Sequence, residues 1–261
     1  NPQWAATREQ NPTNNANTLY ATLNSNLTDA RNISAVTQVL DGAGMAGGVD
    51  SEKLESARKL STSEYTLNSA LGYVSLKQTL QTDQVLAVAF EYTYRGQTWQ
   101  VGEFSSDRKD TQEVLYVKAL RNTACTPSMG NWHLMMKNVY ALGATSVQKE
   151  KFKLDIKLLS DTTGVYLSYL PEPGLKSQRI LSLVGLDRLD NNNKIGANGY
   201  FDFVEGYTID RQSGRVYFPM VEPFGKGLAK AIGSEAVAAK YVFQELYDST
   251  RTVARQIAEK N

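Results

Sequence analysis

Two residue types on which much enzyme and metal chemistry depends are nearly missing from this sequence. It holds one cysteine, Cys125, and one histidine, His133, among 261 residues. A single cysteine excludes an internal disulfide, and with so few of either a zinc or haem site is not expected. Long apolar runs are missing as well. The longest, residues 85–90, has six residues, far short of the 18 or so that a spanning helix needs. Charge of one sign is also lacking: the net charge is +1, so the overall field suggests neither nucleic acid nor an anionic membrane as partner. The opening Asn-Pro-Gln-Trp has neither the basic start nor the apolar stretch of a signal peptide. Both ends read as cut points, so the chain is expected to be an excised internal fragment.

What is present is ordinary for a folded domain: 41% apolar residues, 21% charged, and 14 tyrosines. Residues 1–18 are rich in Asn, Thr, Gln and Pro and read as a mobile arm. Residues 19–63 form a helical segment, with Leu19, Leu23, Leu27, Ile33, Val36 and Leu40 at helical spacing. A second short helix is expected from Asp50 or Ser51 to Leu60. Between them, Gly42-x-Gly44-x-x-Gly47 matches the dinucleotide fingerprint in letters only. A helix rather than a strand precedes it, and no strand-borne acid follows about 20 residues on. It reads as a joint.

From Tyr65 the pattern becomes β-like. Residues 85–94 form a strand that returns through an Arg95-Gly96 turn into 98–104. Residues 113–120 are a further strand candidate, and 132–142 fits either helix or strand. In 152–159, Phe152, Leu154, Ile156 and Leu158 alternate with lysines and Asp155, the pattern of a half-buried strand. An Asp161-Thr-Thr-Gly164 turn leads back into 165–170, and Pro171-Glu-Pro-Gly174 reads as a linker. Residues 64–172 are therefore expected to form a β-sandwich-like unit, followed by a hairpin subdomain over 175–225 and a terminal helix or connector over 234–261, weakened at Ser249-Thr250. The fold class is α+β, mainly antiparallel β.

Candidate chemistry is sparse. Any Ser-His-Asp or Cys-His arrangement would have to use His133, and no nucleophile motif surrounds it. Ser56-x-x-Lys59 and Ser146-x-x-Lys149 lack the partner motifs of a β-lactamase-type site. Asp187, Asp190, Asn192 and Asp202 concentrate oxygen ligands suited to calcium within a short loop, although their spacing does not fit an EF-hand. Asx-turns account for the same composition. Trp99, just past a hairpin tip, is the candidate ligand platform. No cofactor other than calcium is indicated.

The most structured stretch is 186–225. Gly199-Tyr-Phe-Asp-Phe-Val-Glu-Gly206, Gly214-Arg-Val-Tyr-Phe-Pro219 and Val221-Glu-Pro-Phe-Gly225 resemble the SprA/Sov family of Bacteroidetes, very large outer-membrane proteins of gliding motility and type IX secretion. Blocks over 53–104, 131–170 and 241–261 match in the same order. The resemblance implies a non-enzymatic cap or insertion domain of an outer-membrane protein-translocation barrel. That domain would lie on the periplasmic or the extracellular side. Its partners would be the rest of the parent chain, a PorV-type shuttle, a plug subunit and secreted cargo, with no nucleic acid. The alternative is a cell-surface adhesion or glycan-binding module, which the Tyr-rich, β-rich composition also suits.

Overall fold

The computed structural model describes residues 6–7, 11–108 and 110–259; the expected arm over 1–5 and 8–10 and the last two residues of the terminal connector lie outside these. The class is α+β, with seven α-helices and eleven short strands among the described residues. The strands form four two-stranded sheets and one of three strands, instead of the two stacked sheets a sandwich would need. No helix among the described residues is long and apolar enough to cross a membrane.

The chain divides into two compact units, one of residues 1–67 and 74–134 and one of 68–73 and 135–261. The division falls after Leu134, whereas the sequence pattern places a linker at 171–174. Leu170 is buried in the second unit's core, and Glu172 is bonded to Lys240 and Tyr241, so that Pro/Gly-rich stretch is a turn inside one unit.

In the first unit, α1 (Leu19–Ser25) and α2 (Val36–Gly42) flank a single 3₁₀ turn at Thr28–Arg31. Their apolar faces meet in a small core of Leu23, Ala30 and Val36. No helix forms over 50–60: the stretch is irregular and mostly exposed, with Leu54 at the surface. A helix of that length is marginal without an apolar face to bury, and this one has none. β1 (Tyr65–Asn68) pairs with β2 (Tyr73–Leu76). The expected strand over 85–94 divides into β3 (Leu86–Val88) and β4 (Phe90–Tyr94). Antiparallel β5 (Gln97–Val101) pairs with β4, and β6 (Lys118–Arg121) pairs with β3. Arg95 and Gly96 both have positive φ, 52° and 77°, the geometry of the two-residue turn whose twist suits a hairpin. Residues 12–14, inside the expected arm, are tied to this hairpin: the Asn14 amide donates to Gln100 O at 3.1 Å, and Tyr92 Oη donates to Pro12 O at 2.8 Å.

The second unit is built on the segment 180–186. α3 (Ile180–Leu183) is a single turn, yet Leu181, Val184 and Leu186 are fully buried. Each such side chain removed from water contributes about 1.5–3 kcal/mol. Leu170, Val216, Phe218 and Leu228 complete the cluster. Over it lies the three-stranded sheet, in which β11 (Arg215–Tyr217) pairs antiparallel with both β7 (Val139–Ala141) and β10 (Ile209–Asp210). β8 (Leu158–Leu159) and β9 (Tyr166–Leu167) form a separate hairpin. The single terminal helix expected after Ser234 is instead three: α5 (Glu235–Ala238), α6 (Glu245–Asp248) and α7 (Arg251–Ala258). They follow an unanticipated α4 (Lys226–Ile232). The Phe243 amide donates to Phe224 O at 2.8 Å, and that tertiary bond draws the chain out of helix between α5 and α6. Thr250 caps α7 by accepting the Val253 amide.

Candidate functional site

The loop 187–202 holds the four oxygen-rich residues singled out as ion ligands, and each has a definite structural role. Asp187 is fully buried. Its Oδ2 accepts the Ser182 hydroxyl at 2.5 Å and the Gly199 amide at 2.8 Å, while its Oδ1 has no partner. Asp190 builds an Asx-turn, accepting the amides of Asn192 and Lys194 at 2.8 Å each. Asn192 takes part through that backbone amide and is exposed. Asp202 accepts the Leu189 amide at 2.9 Å. Burial, reinforced by the charge of Asp187, pushes its carboxyl up despite the amides of Leu189 and Arg188. Asp187 and Asp202 are thus brought within electrostatic reach of each other, and Asp190 is kept in its own turn. Among the described residues no three His, Cys, Asp or Glu side chains gather around a common point.

Trp99 is half-buried and lies opposite Tyr92 across the β4–β5 ladder. Its Nε1 is buried without a hydrogen-bond partner. His133 is exposed at the end of the 3₁₀ turn Gly130–Leu134, and Cys125 is exposed too. No hydrogen bond joins either to a nucleophile or an acid among the described residues.

Sequence reasoning missed the best-built polar centre, which lies in the first unit. Glu103 is 5% exposed. Arg31 grips it with two hydrogen bonds of 2.6 Å, the bidentate geometry of strong ion pairs. Tyr20 Oη donates to the same carboxylate at 2.8 Å, and the Tyr116 amide donates to it at 2.9 Å. The guanidinium lies 3.9 Å from the centre of the Tyr116 ring, a cation–π contact. Burial pushes the Glu103 carboxyl up, but Arg31, the Tyr116 amide and Tyr20 outweigh it and hold the group below the ordinary carboxylate range. This cluster floors a cleft of about 430 Å³ that also reaches Asn14, Asn24 and Gln100. The Arg31 and Glu103 charges are matched to each other, which leaves neither as a free base or nucleophile. The two stand 72 residues apart in sequence, and no local pattern marks them.

The motifs that carry the family resemblance are also packing devices. In Val221-Glu-Pro-Phe-Gly225, Glu222 is buried and paired with Lys137 at 3.0 Å. The Phe224 amide donates to Tyr247 Oη at 2.9 Å, and that hydroxyl shares a 2.8 Å bond with Tyr140. A Cβ on Gly225 would lie 2.7 Å from both Gln244 and the Tyr247 ring, so only glycine lets the backbone approach α6 so closely. In Gly199-Tyr-Phe-Asp-Phe-Val-Glu-Gly206, Phe201 packs tilted and Phe203 edge-on against Phe152, at 5.7 and 5.2 Å between ring centres. Comparison with known proteins returns neither a matching family model nor a matching curated protein.

Proposed function

We propose that this chain is a non-enzymatic assembly module: a cap or insertion domain of a SprA/Sov-type outer-membrane translocation barrel, acting in type IX secretion and gliding motility. The observation that carries the docking part of this reading is the amount of surface left uncovered. The chain exposes 17613 Å². Two separate globules, each of half its mass, would together expose about 13,700 Å². The difference, about 3,900 Å², is of the size that large permanent interfaces bury. Part of it is apolar: Leu134 is 83% exposed, Met136 63%, Val221 69% and Ile195 96%. Isolated apolar residues at a surface are ordinary, and we read the uncovered area as the surface that docks on the rest of the assembly. The specific assignment to the translocon rests on the ordered sequence blocks, whose best-formed members lie in the second unit's packing motifs.

The experiment is deletion of this segment from the parent protein. The expected outcome is loss of secreted cargo, with the remaining barrel still inserted in the outer membrane. Undiminished secretion by the deletion strain would overturn the proposal.

A further inference from the structure

The segment 152–157 is extended, and its side chains alternate as a strand's do: Phe152, Leu154 and Ile156 turn inward, while Lys153, Asp155 and Lys157 are exposed. Leu154 and Ile156 pack against the second unit's core. Yet strand pairing begins only at Leu158. Among the described residues, the amides of Lys153, Leu154, Asp155 and Lys157 donate to nothing, and the carbonyls from Phe152 to Ile156 accept nothing. Backbone groups left this way are a template for another strand.

The hairpin shows which edge is open. Ser160 donates its amide to Val165 O at 3.0 Å, and Leu158 lies opposite Leu167, so even-numbered residues point their backbone groups toward β9. Odd-numbered residues 153, 155, 157 and 159 point theirs to the opposite edge, where the two-stranded sheet ends. That edge runs roughly 20 Å. It is lined by Lys153 and Lys157, neither of which forms an ion pair among the described residues. Asp155 is the single acid facing the same way.

We infer that this edge receives an extended polypeptide segment in which acidic and apolar residues alternate, adding a third strand to the β8–β9 sheet. The inference rests on the reading of the chain as an assembly module and names the chemistry of one partner. Main-chain hydrogen bonds supply affinity in such strand addition, and alternate side chains supply selectivity. On one face the partner's acids lie beside the lysines, and opposite charges directly across a ladder are favourable. On the other face its apolar residues cover the half-exposed flank of Phe152, Leu154 and Ile156. A second copy of the same edge is the weaker occupant, because the antiparallel register centred on Asp155 sets Lys153 against Lys157 and acid against acid. Lysines at an edge disfavour self-pairing while admitting an acidic strand.

The test uses the intact 261-residue chain and a capped peptide of alternating valine and glutamate. Controls are the same peptide with lysine for glutamate, and a version with its backbone amides methylated on one edge. Binding is read by fluorescence anisotropy, and the site by protection of the Lys153, Asp155 and Lys157 amides from hydrogen exchange. The acidic peptide is expected to bind and to protect those amides, and both controls to bind at least about tenfold more weakly. Lys153→Glu with Lys157→Glu should invert the preference between acidic and basic peptides. Asp155→Pro, which removes an outward amide, should weaken both. These positions are exposed, and circular dichroism checks that each variant is folded. Equal binding of acidic and basic peptides, protection elsewhere, or self-association through this edge would overturn the inference. These outcomes are read on the isolated chain and secretion on the parent. Intact secretion in the Lys153→Glu, Lys157→Glu parent would remove the edge from the assembly while leaving the deletion result to judge the module itself.

Discussion

Two glycines with nearly the same φ show how a single methyl group can be tolerated or ruinous. Gly164 has φ 64° and Gly214 φ 61°, so alanine carries a similar left-handed penalty at either, about 1–2 kcal/mol. Around Gly164 there is open space, but a Cβ on Gly214 would overlap the Ala144 carbonyl. Gly164→Ala is therefore expected to cost about 1 kcal/mol in urea unfolding, and Gly214→Ala at least about 3 kcal/mol. Equal losses would show that the turn after β10 has room to move. Glu103 makes a second case. Removing its charge strands Arg31 in a half-buried site, so Glu103→Gln is expected to cost about 2–3 kcal/mol at neutral pH. Because the folded carboxyl is held below its ordinary range, its stabilising share is complete above the ordinary Glu value of about 4.3 and drains away as pH falls through the folded value. The gap between wild type and Glu103→Gln should accordingly narrow as urea titrations move to acid pH. A gap that widens would assign the stabilisation to some other group.

At the scale of elements, what was legible in the sequence was what is decided locally. The β4–β5 hairpin could be placed because Arg95-Gly96 fixes its own turn, and the turns ending at Gly164 and Gly214 could be read for the same reason. Burial along 152–158 was legible through alternation, but pairing was not, since a period of two tells which face is inward and says nothing of who lies beside it. The terminal helices failed differently. Val237, Tyr241 and Val242 keep helical spacing, but the Phe243–Phe224 backbone bond and the Tyr140–Tyr247 hydroxyl pair compete with the helix at 239–244 and win. Tertiary partners of that kind cannot be seen from one strip of sequence. The oxygen-rich loop was legible in composition, but its aspartates do different things. Asp190 is consumed by its own Asx-turn, whereas Asp187 serves Ser182 and Gly199 from inside the core. Nothing local distinguishes the two. The Arg31–Glu103 centre had no local signal at all, because each partner is a common residue in an unremarkable setting.

On the scale of the whole molecule, the two units differ in what holds them. The second has nine buried apolar residues in one cluster, from Leu170 to Leu228, and the first has three, Leu23, Ala30 and Val36. Local stability follows the density of buried apolar packing, and sparsely packed regions open at lower free energy than the core. Unfolding should therefore proceed in two steps. Native-state hydrogen exchange followed by mass spectrometry is expected to show slow exchange over 180–186 and 216–218, with peptides from α1, α2 and β4–β5 exchanging well before them. Denaturant should drive the first unit through its transition at lower concentration, giving probe-dependent midpoints that a single cooperative unit cannot produce. One shared midpoint with uniform protection would mean that the small core is reinforced as strongly as the large one. The assembly reading assigns the asymmetry a cause: a module whose uncovered area is meant for neighbours can leave one unit thinly packed, since binding that selects the folded form stabilises it by mass action. If the proposed assembly holds, bound to its neighbours the first unit should exchange at rates falling toward those of the second, while those of residues 180–186 change little.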